Sequence, residues 1–349
     1  MKPESFRIEP IFVPRIWGAR SLAPLYPEKS NLPEPIGEAW LTGVDCKVAS
    51  GPFVGKTLGE AWREMPAGWR GTNLVLSDDF PILVKFIFPN DKLSIQVHPD
   101  DSYAAIHEQA SGGRGKTEMW HAVSAETGAS VLVGLVPDAD EEKFRQAIET
   151  HTLENLFIHW RVQTGDTFFV PAGTPHTIGP GMILCEVQEY SDLTYRLYDY
   201  GRVDPRGKPR ELHIDKALNV IRFERPIQAK VPRLALPVKG LQRSLLAACR
   251  YFATEQWKVP ALFETHSSAD HFDIFTILDG SGNFRWGSGL EKYRRGECWL
   301  IPAGLGRFAL QPEEPSKILR TYLPDLGTLR SALKQDGLSE QEIAKTVFD

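Results

Sequence analysis

Residues 165–179 read GDTFFVPAGTPHTIG, and they determine how the rest of the chain is interpreted. Thr167–Val170 are β-branched or aromatic residues, which favour a strand. The glycine and prolines of residues 171–175 favour a tight turn, so the stretch predicts a strand, a turn and a second strand that begins near His176. One imidazole at the start of a strand is as typical of a capped surface residue as of a metal ligand. Other strands must therefore supply partners for His176 if it binds a metal.

The glycines, proline and histidine of this hairpin follow the spacing G-x5-P-x-G-x2-H. That spacing resembles the second signature motif of the cupin superfamily, which implies a small β-barrel that usually holds a metal ion. A second copy of the pattern begins at Gly296 and continues through Pro302 and Gly304, but Arg307 stands where the histidine would be. The second copy predicts a second barrel that has lost its metal.

The predicted fold is mainly β, with two cupin (jelly-roll-like) β-barrels and a few peripheral helices. A chain of 349 residues favours about two domains on length alone, and a proline-containing connector ends near residue 235. We therefore expect a metal-binding cupin domain with helical additions at residues 1–235. Residues 236–349 are expected to form a metal-free cupin-like domain with helices at its C-terminal end.

Hydrophobic periodicity and turn residues predict the smaller elements. Residues 1–36 are expected to form an irregular wrap with one short strand at residues 8–13, and residues 71–77 to turn into a strand. Short helices are expected at residues 58–65, 101–110, 138–150 and 212–220, with two more within residues 328–348.

The overall charge argues against nucleic-acid binding, because a net charge of −5 leaves no basic excess to neutralise phosphates. The start, MKPESFRIEP, lacks a basic segment followed by an apolar run, and no stretch approaches about 18 apolar residues. We expect a cytoplasmic protein with no membrane segment and no nucleic-acid partner. Neither a disulfide framework nor a thiolate zinc site is predicted, because no C-x-x-C pattern joins the cysteines Cys46, Cys185, Cys249 and Cys298.

Two strands before the hairpin carry side chains that can bind a metal. Gln96 and His98 are two residues apart in LSIQVHPDD, so on a strand both leave the same face. In EMWHAV, Glu118 shares a face with Trp120, whereas His121 points to the other face and is expected to be structural. With His176, these strands bring together an amide oxygen, two imidazoles and a carboxylate, a set that suits a borderline divalent ion such as zinc.

A glycine-rich loop before Glu118 partly matches a phosphate-binding loop. Residues 110–117 read ASGGRGKT. A phosphate-binding loop follows a strand and precedes a helix, whereas here a helix precedes and a strand follows. The context therefore excludes a nucleotide site.

Five further side chains have two interpretations each. Lys85 interrupts the apolar strand FPILVKFIF, so it either reaches solvent or meets an anion. Glu186, on the alternating strand MILCEVQE, is either a surface glutamate or faces a polar cavity. Arg196 and Arg202 form either a solvated edge or an anion clamp. Trp17 is either a core residue or part of a site.

The arrangement Q-x-H…K-x-E…H, the runs LSIQVHPDD and GEAWLTG and the two-barrel layout together resemble the type I mannose-6-phosphate isomerases of the shorter bacterial kind. The resemblance is strong from Trp17 to about Arg202 and weak through the second barrel. It implies an aldose–ketose isomerase that interconverts mannose 6-phosphate and fructose 6-phosphate through a cis-enediol, with one Zn²⁺ per chain.

The resemblance also implies a role for each site residue. The implied metal ligands are Gln96, His98, Glu118 and His176. The implied catalytic residues, with the proton shuttle left open among the last three, are Arg196, Lys116, Glu186 and Asp192. Substrate or phosphate binding is expected from Lys85, Arg202 and Trp17. We expect a small hexose phosphate as the partner molecule, and a monomer or weak homo-oligomer.

The chain departs from the family pattern in places. Thr117 stands where the family often has the proline of K-P-E, and Arg202 stands where it has a lysine. The long helical insertion of the larger enzymes is absent. Two other functions remain open: a metal-dependent cupin oxygenase, for which Gln96 is an unusual extra ligand, and a non-enzymatic sugar-phosphate-binding cupin, which needs no proton-transfer group.

Overall fold

A computed structural model describes residues 2–73, 79–204, 206–224, 228–287 and 289–349. The described residues form antiparallel sheets with short helices around them, which confirms the mainly β fold. The helices are α1 (Leu58–Glu64), α2 (Ala67–Arg70), α3 (Asp101–His107), α4 (Glu141–Glu149), α5 (Ile214–Leu218), α6 (Leu326–Gln335) and α7 (Glu340–Ile343). Short 3-10 turns lie at Pro27–Lys29, Gln109–Ser111 and Leu153–Leu156.

The strands, in chain order, are β1 (Phe6–Ile8), β2 (Ile11–Ala19), β3 (Ile36–Trp40), β4 (Ile82–Ile87), β5 (Ile95–Val97), β6 (Glu118–Ala125), β7 (Ser130–Leu135), β8 (Phe157–Arg161), β9 (Thr167–Val170), β10 (His176–Ile178), β11 (Met182–Glu189), β12 (Tyr195–Tyr198), β13 (Lys230–Val231), β14 (Leu234–Leu236), β15 (Gln242–Cys249), β16 (Phe252–Val259), β17 (Phe263–His266), β18 (Asp273–Asp279), β19 (Ser281–Trp286), β20 (Gly289–Arg294), β21 (Cys298–Ile301), β22 (Arg307–Pro312) and β23 (Ser316–Tyr322).

The N-terminal unit is a pair of facing sheets. One has the order β13-β9-β6-β11-β4-β3-β2 and the other β12-β5-β10-β7-β8. Trp120 and Phe168 of the first sheet pack with Val131 and Ile178 of the second in one buried core. Two antiparallel sheets that face each other across such a core are the jelly-roll architecture that the cupin motif predicts.

The C-terminal unit repeats this plan. Its sheets have the orders β1-β21-β18-β23-β16-β15-β14 and β17-β22-β19-β20. Phe275 and Trp299 of the larger sheet share a buried core with Phe284 and Phe308 of the smaller one. The glycines of both hairpin motifs have the positive φ that favours glycine, with values of 91° at Gly165 and 86° at Gly296. The repeated spacing in the sequence therefore reflects a repeated turn.

The two seven-stranded sheets pack against each other across a shared apolar core. Cys185 and Val187 from β11 lie in the same cluster as Leu246, Leu300 and Leu319 of the C-terminal unit. Side chains on one face of β6 and β11 pack into this core. The opposite face of both strands points into the N-terminal unit, where the candidate site lies.

The prediction for residues 1–36 was partly right, because residues 20–35 contain no strand, but it expected one short strand where there are two. The two strands belong to different sheets: β1 pairs with β21 of the C-terminal unit, and β2 pairs with β3 of the N-terminal unit. The chain thus starts in one unit and crosses to the other, which local sequence patterns cannot reveal. The division at residue 235 stays a prediction, although β13 joins the N-terminal sheet and β14 the C-terminal one.

The predicted helices are present as α1, α3, α4, α5 and the pair α6 and α7. Four have shorter bounds than predicted, and α6 begins two residues before the predicted range. The short helix α2 was not expected. The glycine-rich loop lies between α3 and β6, the order that excluded a nucleotide site, and the Gly115 amide donates to Asp101 Oδ1 at 3.0 Å. The strand expected after residues 71–77 falls partly on residues outside the described ranges.

Candidate functional site

The strands that carry the predicted ligands converge between the two N-terminal sheets. His176 begins β10 and lies directly opposite Gln96 of β5 in antiparallel register. His98 follows the last residue of β5, and Glu118 begins β6 of the facing sheet. The pleat of these strands turns all four side chains towards one point.

His98, Glu118 and His176 form a buried cluster whose ligand atoms all lie within 4.8 Å of one another. His176 Nε2 is 3.3 Å from Glu118 Oε1, and His98 Nε2 is 3.9 Å from Glu118 Oε2. None of the three residues is more than 2% exposed. The cluster therefore offers two nitrogens and a carboxylate to one small volume.

Backbone carbonyls fix the orientation of both imidazoles. His98 Nδ1 donates to Leu193 O at 2.7 Å, and His176 Nδ1 donates to Thr174 O at 2.9 Å. Since Nδ1 carries the proton, each Nε2 presents its lone pair to the cluster. Burial lowers the pKa of His98 well below its usual value and the pKa of His176 to about 4. Both rings are therefore neutral at pH 7, which is the form that binds a metal.

Gln96 is the fourth donor. Its amide nitrogen lies 3.3 Å from His176 Nε2, and its amide oxygen accepts from Ser94 Oγ at 3.3 Å. The nitrogen and oxygen of an amide exchange places when the side chain flips, and the assignment follows the partners present. With a cation in the cluster, the flipped amide turns its oxygen towards that cation.

The cluster fits a divalent metal ion. Both carboxylate oxygens of Glu118 are buried and accept no hydrogen bond of good geometry, although Lys116 Nζ lies 2.6 Å from Oε2. A buried carboxylate without full compensation is costly, so the site favours a further cation beside Glu118. Two imidazoles, a carboxylate and an amide oxygen suit a borderline ion such as Zn²⁺.

Charged side chains of alternating sign extend in a row from the cluster across β6, β11 and β4 and the residues that flank them. Lys116 Nζ lies 3.6 Å from Glu186 Oε1. Lys85 Nζ lies 3.9 Å from Glu186 Oε2 and 3.1 Å from Asp192 Oδ1. Lys85, Lys116 and Glu186 are buried, whereas the Asp192 side chain is 54% exposed. Lys85 therefore meets carboxylates, and Glu186 faces a polar cavity.

The pKa shifts in this row keep Lys116 charged and make Glu186 easier to protonate. Burial opposes the charge of Lys116, but Glu118 and Glu186 together raise its pKa. Burial raises the pKa of Glu186, and Lys116 offsets only part of that effect. Trp120 Nε1 donates to Glu186 Oε1 at 3.3 Å and holds the carboxylate in place.

A cleft of about 360 Å³ opens beside this row. The predicted site residues that line it are Trp17, Lys85, Gln96, Lys116, Glu186, Asp192 and Arg196. The remaining lining comes from Arg15, Glu38, Ile87, Leu93, Ser94, Trp120, Ile178, Thr194, Arg210 and His213. The structure thus gathers most of the predicted residues around one opening next to the metal-ligand cluster.

Two arginines make one side of the cleft strongly positive. Arg196 is paired with Gln96 across β12 and β5, and its Nε donates to Ser94 Oγ at 3.3 Å. Burial and then the charge of Arg210 lower the pKa of Arg196. The charges of Arg196 and Arg210 therefore interact, although Asp199 offsets part of their repulsion.

Arg202 is not among the residues that line the cleft. Its Nη2 donates to Asp199 Oδ1 at 2.6 Å, and its guanidinium lies 5.3 Å from the centre of the Tyr200 ring. Arg210 Nε donates to the same carboxylate, at 2.8 Å from Asp199 Oδ2, and Arg210 reaches the cleft. The sequence reasoning missed Arg210, because it lies in an irregular loop with no periodic pattern.

The sequence reasoning also missed a partly buried ion pair in the cleft lining. Arg15 Nη2 donates to Glu38 Oε2 at 2.9 Å, and Trp40 Nε1 donates to the same oxygen at 2.7 Å. A signal for both was present, since Arg15 is two residues before Trp17 and Glu38 two before Trp40 on strands. Because side chains alternate along a strand, each charged residue should lie on the same strand face as the tryptophan two residues after it.

His121 lies on the opposite face of β6, as predicted. Its Nδ1 is 3.1 Å from Thr167 Oγ1, and its Nε2 is 3.0 Å from the amide nitrogen of Gln256 in the C-terminal unit. His121 therefore belongs to the contact between units and not to the metal-ligand cluster.

Comparison with known proteins shows one consistent similarity. Residues 6–125 match the family described as phosphomannose isomerase type I, catalytic domain. The chain is 34% identical over 319 residues to mannose-6-phosphate isomerase ManA of Bacillus subtilis, covering 89% of this chain and 97% of the relative. It is 34% identical over 307 residues to a mannose-6-phosphate isomerase of Streptococcus mutans, covering 84% and 92% of the two chains.

The fold comparison agrees with the sequence comparison. The crystal structure of the mannose 6-phosphate isomerase from Bacillus subtilis matches with a TM-score of 0.82 at 28% identity, covering 92% of this chain and 99% of that one. Within the described residues, no helix has both the length and the apolar character of a membrane span.

Proposed function

The chain belongs to the family of type I mannose-6-phosphate isomerases, and on this basis we propose that it interconverts mannose 6-phosphate and fructose 6-phosphate in the cleft beside His98, Glu118 and His176. One observation carries the proposal: a buried two-histidine, one-carboxylate cluster opens onto a cleft that also holds paired lysines and carboxylates. Neither an oxygenase nor a binding-only cupin explains that combination as well.

We assign one Zn²⁺ to the cluster, with Gln96, His98, Glu118 and His176 as its ligands. When bound, the ion supplies positive charge that polarises the C1 and C2 oxygens of the sugar. The fit rests on the neutral imidazoles and on the incompletely compensated carboxylate of Glu118.

The isomerisation moves one proton between neighbouring carbons, so it needs a group that can accept a proton and return it. Lys116 lies between Glu118 and Glu186, and these two carboxylates keep it positively charged. Its charge would stabilise negative charge on the substrate oxygens. We therefore assign proton transfer to the carboxylates of the cleft, Glu186 and Asp192. Lys85 holds both in place through its contacts with them.

The positive side of the cleft suits the phosphate. Arg196 is close to the metal ligands because it is paired with Gln96, so we assign it to the reacting end of the sugar. Arg210 is a further cation of the lining besides Arg15, and Asp199 orients it. We assign Arg210 to the phosphate group, since guanidinium donates two parallel hydrogen bonds to phosphate oxygens. Trp17 forms an apolar part of the wall.

All four cysteines are free and buried. Reduced thiols are typical of a cytoplasmic protein, and we propose that location. We also propose that the chain is a monomer or weak homo-oligomer.

The proposal is tested by incubating the purified, zinc-loaded protein with fructose 6-phosphate and measuring mannose 6-phosphate. We expect turnover that a chelator abolishes and that added zinc restores. Binding of fructose 6-phosphate without turnover, at full metal loading, would show a sugar-phosphate-binding cupin and contradict the proposal.

A further inference from the structure

A second cleft, of about 430 Å³, lies between the two units on the opposite face of β6 from Glu118. Both units contribute to its walls. The polar side chains among its lining residues are His121, Ser124, Thr164, Arg233, Gln256, Lys258, Asp279, Arg295 and Lys317.

The floor of this cleft is polar and buried. His121 is 1% exposed and Gln256 is 4% exposed. Gln256 Nε2 donates to His121 Nε2 at 3.0 Å, so His121 Nδ1 donates to Thr167 Oγ1 at 3.1 Å. This hydrogen-bond chain gives the floor a fixed geometry that spans both units.

The rim of the cleft carries four cations and one carboxylate. Lys317 Nζ lies 3.2 Å from Asp279 Oδ2, and Arg295 Nη1 lies 3.7 Å from Asp279 Oδ1. Arg233 donates to the backbone oxygen of Gly165 at 3.1 Å. Among the described residues of the lining, Asp279 is the single carboxylate beside four cations, so the lining carries an excess of positive charge.

Two of the cations are forced close together by the sheet. Lys258 of β16 lies directly opposite Lys317 of β23 in antiparallel register. Like charges directly opposite each other on one sheet face destabilise the pair. Burial, and then the charges of Arg233 and Lys317, lower the pKa of His121 to about 3. The contribution of these two cations shows that their positive field reaches the floor of the cleft. An anion in the cleft would relieve this repulsion.

We propose that this cleft between the units is a binding site for a small phosphate-bearing anion, separate from the isomerase cleft. The cavity has the size of a small-molecule site, and the chain's net charge of −5 gives no extended basic surface for a nucleic acid. An anion in the cleft would lie between Ser124 of the N-terminal unit and Lys258 of the C-terminal unit, both of which line it. Its binding would therefore stabilise the contact between the units.

The test measures binding of inorganic phosphate by isothermal titration calorimetry at low ionic strength. The double variant Arg196→Ala with Arg210→Ala removes the phosphate-binding arginines of the isomerase cleft, so the remaining binding reports the second site. We expect one phosphate to bind this variant. Adding Lys258→Gln and Arg295→Gln should weaken that binding at least tenfold.

A matched control carries Arg285→Gln and Lys292→Gln on β19 and β20 in the same background, which changes the net charge equally. It should keep the phosphate affinity. Lys258→Gln with Arg295→Gln in the otherwise unaltered protein should leave isomerase turnover at saturating substrate unchanged and reduce the rise of the unfolding midpoint with phosphate. No phosphate binding in the Arg196→Ala, Arg210→Ala protein, or equal weakening by the control pair, would overturn the proposal. The phosphate-binding outcomes do not depend on whether the protein is an isomerase.

Discussion

Asp273 occupies in the C-terminal unit the position that Glu118 occupies in the N-terminal unit. Glu118 lies opposite Val170, and Asp273 lies opposite Ile301. Each partner is the residue just before the proline of its hairpin motif. The carboxylate of the metal-ligand cluster in one unit thus has a direct counterpart in the other.

The neighbours of that counterpart differ in charge. In the N-terminal unit Lys85 lies opposite Glu186, whereas at the corresponding strands of the C-terminal unit Glu255 lies opposite Arg320. Arg320 Nε donates to Asp273 Oδ1 at 2.9 Å. The C-terminal unit therefore fills the corresponding place with a permanent ion-pair network instead of metal ligands.

Replacing Glu255 should destabilise the protein strongly. Glu255 accepts from Arg243 Nε and Trp257 Nε1, both at 2.8 Å, and is fully buried. Glu255→Gln leaves Arg243 without its carboxylate partner and leaves Arg320 with Asp273 alone, and breaking a buried ion pair typically costs about 3–5 kcal/mol. The free energy of unfolding, measured by denaturant titration, should fall by that amount. Glu264→Gln, which breaks an exposed ion pair with Arg307, should cost less than about 1 kcal/mol. Equal losses would contradict the account.

His121 should make stability depend on pH. Burial, with Arg233 and Lys317 adding to it, lowers its pKa from 6.5 to about 3, so below pH 6.5 the unfolded chain binds a proton that the folded chain does not. The contribution of neutral His121 to the free energy of unfolding is complete above pH 6.5 and is lost as the pH falls towards 3. His121→Gln should therefore flatten the slope of unfolding free energy against pH in that window, by up to about 1.4 kcal/mol per pH unit. The exposed His266→Gln is the control, and an unchanged slope in His121→Gln would refute the prediction.

Arg196→Ala should remove activity without removing the metal. Arg196 is paired with a metal-ligand strand but is not itself a ligand, and loss of one electrostatic donor typically lowers kcat about 10²–10³-fold. Turnover and metal content measured on the same preparation check this. Loss of the metal together with activity would show that Arg196 has a structural role in holding the metal ligands in place.

Arg210→Met should raise KM for fructose 6-phosphate more than Arg202→Met does. Arg210 lines the cleft, whereas Arg202 is held outside the lining by Asp199. A lost hydrogen bond to a charged group costs about 1.5–3 kcal/mol, which corresponds to roughly a 10- to 100-fold rise. Steady-state kinetics of both variants decide the point. A larger effect in Arg202→Met would assign the phosphate to Arg202, as the sequence resemblance implied.

The sequence alone predicted those site residues whose positions follow from the alternation of side chains along a strand. Gln96 and His98 are found on one face because strand residues alternate, and the repeated glycines gave both hairpins because positive φ favours glycine. These features are local, so a pattern in the sequence reports them directly.

The features that were missed depend on contacts between distant segments. Phe6–Ile8 adds a strand to the C-terminal sheet, and nothing in three residues indicates which sheet they join. Arg210 reaches the cleft from a loop whose path is set by its ion pair with Asp199. The anion-binding cleft forms only where β16 and β23 of one unit meet β6 of the other.

The most direct test of the metal-dependent isomerase is a zinc titration of the metal-free protein, with fructose 6-phosphate isomerisation and bound zinc measured together. Activity should rise in proportion to bound zinc and reach its maximum at one ion per chain. His176→Ala should bind no zinc at this site and remain inactive, whereas His121→Gln, which alters a buried histidine outside the cluster, should follow the unaltered protein. Full activity in the metal-free protein, or one bound zinc in His176→Ala, would contradict the account.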